Sequence, residues 1–125
     1  MNKTVLVVED DELSQFVIAE MCRELGFECL TADDGGQAID VLAERANEID
    51  VILMDIHMPR LSGLDATTVI RSEMSDPPRN LPVVATTADA QWHNPKRCIE
   101  FGFNSVLPKP VNLNQLDQTL KQFAA

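Results

Sequence analysis

Short apolar runs alternate with amphipathic segments along the whole of this chain, and that alternation leaves it few folds. Residues 5–8 are β-branched and apolar, a strand pattern. Residues 12–25 carry Ser14, Val17, Ile18, Met21, Cys22 and Leu25 at helical spacing, and Gly26 supplies the stop. Residues 28–32 form a second, weaker strand. Gly35 and Gly36 read as a break before a helix over 37–46, where Ala38, Val41, Leu42 and Arg45 share one track. Residues 51–54 are wholly apolar, as suits a strand in the buried middle of a sheet. The stretch 55–63 is a loop punctuated by Pro59 and Gly63, followed by a helix over 64–74 and a polar turn at 75–80. Residues 81–86 give a fourth strand. Asn94 and Pro95 mark a helix start that runs to Gly102. Residues 105–107 are a short fifth strand. A last helix spans 112–123, with Leu113, Leu116, Leu120 and Phe123 as its stripe and Asn112 with Gln115 as a capping box.

Five β-α units with short connections predict an α/β fold: one five-stranded parallel sheet with helices on both faces. Right-handed crossovers leave few topologies, and the spacing favours the doubly wound, flavodoxin-like order 2-1-3-4-5. With 125 residues, 45% hydrophobic and 24% charged, residues 1–125 read as a single domain with a sizeable core. No apolar run is long enough to span a membrane, and the N-terminus reads straight into a strand rather than a signal peptide. The formal net charge of -10 disfavours nucleic acid as a partner. Cys22, Cys29 and Cys98 are widely spaced and sit in apolar segments, which suits free thiols in a reducing cytoplasm.

Four of the strand runs end in residues suited to phosphate or a hard metal: Glu9 with Asp10, Asp55, Thr87 and Lys109. In an open parallel sheet, ligands bind beyond the carboxyl ends of the strands. If the first and third strands are neighbours, Asp55 faces Glu9 and Asp10. Carboxylates about 4 Å apart repel by about 4 kcal/mol at an effective dielectric near 20. A divalent cation with oxygen ligands offsets this, and without it at least one of the three acids should carry a raised pKa. Asp11 reads as a helix cap. Alone, Thr87 reads as a structural strand end and Lys109 as a solvated lysine. Together with Mg2+ they would stabilise charge on a phosphoryl group moving in line onto the Asp55 carboxylate.

The motifs Val-Val-Glu9-Asp10-Asp11, Met54-Asp55-Ile-His-Met-Pro59 with Gly63, Thr87-Ala88 and Lys109-Pro110 resemble, in order and spacing, the receiver domains of response regulators in two-component signalling. The resemblance covers almost the whole chain and is nearest to receivers of hybrid kinases and phosphorelays. It implies Asp55 as phosphoacceptor. Mg2+ or Mn2+ would be held by Glu9, Asp10, Asp55 and the His57 backbone carbonyl. It assigns Thr87 and Lys109 to the phosphoryl group and implies a cis peptide at Lys109-Pro110. Val106 departs from the pattern, because many members carry Tyr or Phe three residues before that lysine. The ring rotation that couples to the threonine therefore has no counterpart here. Ala88 leaves room for a donor. Asp89 and His57 border the site, and His57 has no helical-bundle context that would make it a phosphate carrier. Trp92 and His93 read as partner contacts or, for Trp92, equally as core.

The resulting expectation is a cytoplasmic phosphoryl-accepting signalling domain. Its donor is a phosphohistidine on a histidine kinase or histidine phosphotransfer protein. Its output is a change in the face formed by the fourth helix, fifth strand and fifth helix. It is not an enzyme with a separate substrate, although autodephosphorylation belongs to the reading. Neither a membrane nor nucleic acid is an expected partner, and homodimerisation is left open. The alternatives are a pseudo-receiver interaction module that does not use phosphorylation, and a phosphatase with an aspartyl nucleophile. His57 disfavours the latter, since it stands where such enzymes place a second acid.

Overall fold

The computed structural model describes residues 2–124. The strands are β1 (Thr4–Val8), β2 (Glu28–Ala32), β3 (Val51–Asp55), β4 (Val83–Thr87) and β5 (Ser105–Pro108). The helices are α1 (Glu12–Glu24), α2 (Gly35–Arg45), α3 (Gly63–Glu73), α4 (Pro95–Glu100) and α5 (Leu113–Phe123), with 3-10 turns at Ala46–Glu48 and Ala90–Trp92. The strands pair in parallel, in the order β2-β1-β3-β4-β5 expected from the sequence.

Side chains of successive strand residues point to opposite faces, so each strand feeds two cores. Leu6 and Val8 of β1 pack with Ile52 and Met54 of β3 against Ala38, Leu42, Ala66 and Ile70 of α2 and α3. Val5 and Val7 join Val51, Leu53 and Val84 against Ile18, Cys22, Leu116 and Leu120 of α1 and α5. β3 is buried at all five positions. That is why its run is uninterrupted by polar residues and why the carboxylate of Asp55 emerges at its end.

Each helix begins on a side-chain cap. Asp11, Asp34, Ser62, Asn94 and Asn112 accept from the N–H of Ser14, Gln37, Asp65, Arg97 and Gln115 respectively. Asp11 is therefore the cap the sequence implied. Gly26 and Gly102 close their helices at φ +94° and +98°.

Three local expectations need correction. Gly35 and Gly36 are not a break but the first turn of α2, set by the Asp34 cap. A Cβ on Gly35 would meet the Leu61 carbonyl oxygen at 2.5 Å, so glycine lets the loop before α3 rest on this helix. The fourth strand begins at Val83, after Pro82, and extends to Thr87. Val17 does not join the buried track of α1. Leu13, Phe16 and Val17 are exposed, whereas Ile18, Ala19 and Cys22 face the sheet.

Candidate functional site

β1 and β3 are neighbours, with Val8 opposite Met54. The residues directly after this register are Glu9 and Asp55, so two acids leave adjacent strands side by side. Glu9 is 2% exposed and Asp55 5% exposed, while Asp10 opens to solvent. One carboxylate oxygen from each of Glu9, Asp10 and Asp55 lies within 4.8 Å of the others.

β4 and β5 bring the rest of the site. Thr87 is the last residue of β4 and pairs with Pro108, the residue before Lys109. The Lys109 Nζ donates to Glu9 Oε1 at 2.7 Å and lies 3.2 Å from Asp55 Oδ2. The Lys109-Pro110 peptide is cis. Thr87 is buried, and its Oγ1 accepts from the Asp89 N–H at 3.0 Å. The residues named at the strand ends thus occupy one edge of the sheet, with the carboxyl of Asp55 turned toward those of Glu9 and Asp10 and the amine of Lys109 on the same rim.

Burial, reinforced by the adjacent Asp55 carboxyl, pushes the Glu9 carboxyl up to about 8 against the opposing pull of Lys109. Burial works against the Lys109 ammonium, but Glu9 and Asp55 outweigh it and hold its pKa above the usual lysine value. One of the three acids thus carries the raised pKa expected from the sequence, with burial ahead of the neighbouring carboxylate as its cause. Glu9 Oε2 is buried without a hydrogen-bond partner. A buried orphan oxygen beside two further carboxylates is a donor set that fits a hard cation. All-oxygen donors suit Mg2+ and Mn2+ alike.

Around this centre the loops are pinned. His57 lies exposed past β3, and its Nε2 donates to Asp89 Oδ2 at 3.0 Å, joining the loop after β3 to the loop after β4. The Gln91 N–H, followed by the His57 ring, holds the Asp89 carboxyl below its ordinary range. Ala88 is exposed and lines a groove of about 440 Å3 with Leu13, Val17, Lys109 and Pro110. Val106 is half-buried against the core. Trp92 is buried, so the core alternative holds for it.

Some supporting residues were not singled out from the sequence. Arg60 has φ +66°, and its Nη2 donates to Asp34 Oδ2 at 2.8 Å, clamping the loop after β3 onto the start of α2. Gln15 Nε2 donates to the carbonyls of Glu9 and Ala32 and to Asp33 Oδ1, bracing the β1 exit. A Cβ on Gly63 would strike the Asp55 carbonyl oxygen, so only glycine lets α3 start against the end of β3. Pro59 and Gly63 signalled the turn, but their spacing carried no sign of Asp34 as a partner.

Comparison with known proteins points the same way. Residues 5–121 match the family described as the response regulator receiver domain. The chain is 40% identical over 120 residues to the sensor histidine kinase RcsC of Salmonella typhi, covering 96% of this chain and 12% of that protein. The structure is similar to the receiver domain of sensor histidine kinase PA1611 of Pseudomonas aeruginosa PAO1, solved with a magnesium ion coordinated in the active site cleft. The TM-score is 0.87 with 33% identity, over 99% of this chain and 98% of that one. It is also similar to a chain in the Saccharomyces cerevisiae co-crystal of the histidine phosphotransfer protein Ypd1 with the receiver domain of Ssk1, at TM-score 0.83 and 26% identity over 98% and 89% of the two chains. Among the described residues, no helix is long and apolar enough to cross a membrane.

Proposed function

Because the chain belongs to the response regulator receiver domain family, we propose that it accepts a phosphoryl group on the Asp55 carboxylate from a partner phosphohistidine. The observation that carries this reading is the Lys109 ammonium lodged between Glu9 and Asp55, at 2.7 and 3.2 Å, beside a partnerless Glu9 oxygen. In the transfer, an Asp55 oxygen forms the new bond to phosphorus as the phosphorus–nitrogen bond of the donor breaks, and the electron pair leaves with the donor imidazole. Lys109 holds the Asp55 carboxylate in place and balances charge on the phosphoryl oxygens. The Thr87 hydroxyl donates to one of those oxygens. Glu9, Asp10, Asp55 and the His57 carbonyl would hold Mg2+ or Mn2+, which when bound neutralises phosphoryl charge that the acids alone would repel.

The donor is a histidine kinase or a histidine phosphotransfer protein. Support comes from the kinase RcsC among the relatives and from the Ypd1 complex among the similar structures. The chain spans about 12% of the length of RcsC, so a place within a hybrid kinase or phosphorelay is part of the proposal. Leu13 and Val17 expose apolar surface on α1 beside Ala88 and Lys109, and this is where a donor reaching Asp55 would rest. The output face is that of α4, β5 and α5, where Ile99 and Phe101 of the α4 region are exposed. The domain turns over no separate substrate, and the aspartyl phosphate is lost by its own hydrolysis in the cytoplasm.

Incubation with acetyl phosphate and Mg2+, followed by intact-mass measurement, tests this. A gain of one phosphoryl group that disappears in Asp55→Asn is the expected result. No gain in the wild-type chain would favour an interaction module that ignores phosphate, and steady release of phosphate from added esters would favour a phosphatase.

A further inference from the structure

The segment between β4 and α4 is fastened at both ends. The His93 Nε2 lies 2.8 Å from the carbonyl oxygen of Thr87. A carbonyl only accepts, so Nε2 carries the hydrogen and donates. The same oxygen accepts the Lys109 N–H at 2.9 Å. One peptide oxygen therefore joins the backbones of two proposed phosphoryl contacts to the ring of His93.

The residue before His93 is anchored into the next helix. Trp92 is buried with its ring edge-on to Phe101, centroids 5.2 Å apart, and the Arg97 guanidinium sits 4.2 Å over its face. The Trp92 carbonyl accepts from Cys98 Sγ at 3.2 Å. Between the two fastenings, Asp89 donates its N–H to Thr87 Oγ1, and its carboxylate accepts from the His57 ring and the Gln91 N–H. The Thr87 hydroxyl thus accepts from the loop that follows it while its own hydrogen can go to a phosphoryl oxygen on Asp55, so loop and phosphoryl group meet at one atom.

We infer that His93 is a positioning residue for the acceptor site: its bond to the Thr87 carbonyl holds residues 88–93 in the present arrangement, and Trp92 passes any displacement of Thr87 into α4. This inference rests on the reading of Asp55 as phosphoacceptor. It also gives the chain a route from site to surface that does not need an aromatic ring at Val106. A bond present in one arrangement and lost in the other biases their equilibrium by its net worth. For an ordinary hydrogen bond that is about two- to tenfold in the affinity of any ligand favouring the other arrangement.

The experiment titrates the wild-type chain and His93→Ala with beryllofluoride in excess Mg2+. Affinity is read by calorimetry and conformation by the emission of Trp92, the single tryptophan in the sequence. His93→Ala should saturate at about two- to tenfold lower beryllofluoride. Its unliganded emission should move toward that of the saturated wild type, and His93→Gln, which keeps an N–H donor, should restore wild-type behaviour. A residue that served only folding would lower the thermal midpoint and leave the half-saturation point in place. The inference is overturned if wild type and His93→Ala saturate together, or if calorimetry records binding while Trp92 emission stays constant. Should wild type bind no beryllofluoride, the acceptor reading of Asp55 falls and this inference with it.

Discussion

Binding of Mg2+ should expel a proton, and the number expelled follows from the surroundings of Glu9. With its pKa near 8, the Glu9 carboxyl is about nine-tenths protonated at pH 7, half at pH 8 and about one-tenth at pH 9. A divalent cation takes the ionised form. Loading should therefore release about 0.9 proton at pH 7 and about 0.1 at pH 9, and the apparent Kd should fall about tenfold across that interval, equivalent to about 1.4 kcal/mol. Calorimetry in buffers of different ionisation enthalpy measures the protons directly, and Glu9→Gln should remove the pH-dependent part. Proton release below about 0.2 at pH 7, together with a flat Kd from pH 7 to 9, would refute the assignment of the raised carboxyl to Glu9. The metal-free chain carries the matching signature. Glu9 binds its proton more tightly folded than unfolded, so its contribution to stability is fully present below pH 4.5 and is lost as the pH rises through 8.

Gly63→Ala should cost about 2 kcal/mol or more, because its Cβ would occupy the space of the Asp55 carbonyl oxygen; a urea midpoint equal to wild type would contradict this. Asp34→Ala removes both the α2 cap and the partner of Arg60, and should lower stability by about 1–2 kcal/mol, seen as a drop in Tm. Leu13→Asp should slow phosphoryl transfer from a protein donor at least about tenfold while labelling by acetyl phosphate stays unchanged, since the side chain is exposed, lines the groove beside Ala88 and Lys109, and lies outside the acidic centre.

What the sequence made legible was what is written in local pattern. β1 and β3 are recognisable because burial on both faces demands unbroken apolar residues, and the helix starts because Asp11, Asn94 and Asn112 cap them. Glu9, Asp10, Asp55, Thr87 and Lys109 could be grouped because the parallel order carries all the strand ends to one edge. What stayed hidden depends on loops meeting in space. The bond from Arg60 to Asp34 spans 26 positions and that from His57 to Asp89 spans 32, and neither leaves a periodic trace. The start of α2 at Gly35 was obscured for a related reason: glycine reads as a local stop, yet here it answers to the approach of Leu61 from another loop. In α1, spacing placed Val17 with the core, whereas the sheet takes up Ile18, Ala19 and Cys22 and leaves the flank of Leu13, Phe16 and Val17 uncovered.

The bond between Lys109 and Glu9 ties together positions 100 apart in the sequence. During synthesis the two aspartates and the glutamate emerge long before the lysine that neutralises them, and only docking of the final strand delivers it. A chain halted or frayed before that step lacks the ammonium that sits between Glu9 and Asp55. On the role proposed for Lys109, chemical competence therefore waits on completion of the sheet, so that readiness to accept a phosphoryl group would double as a mark of maturation.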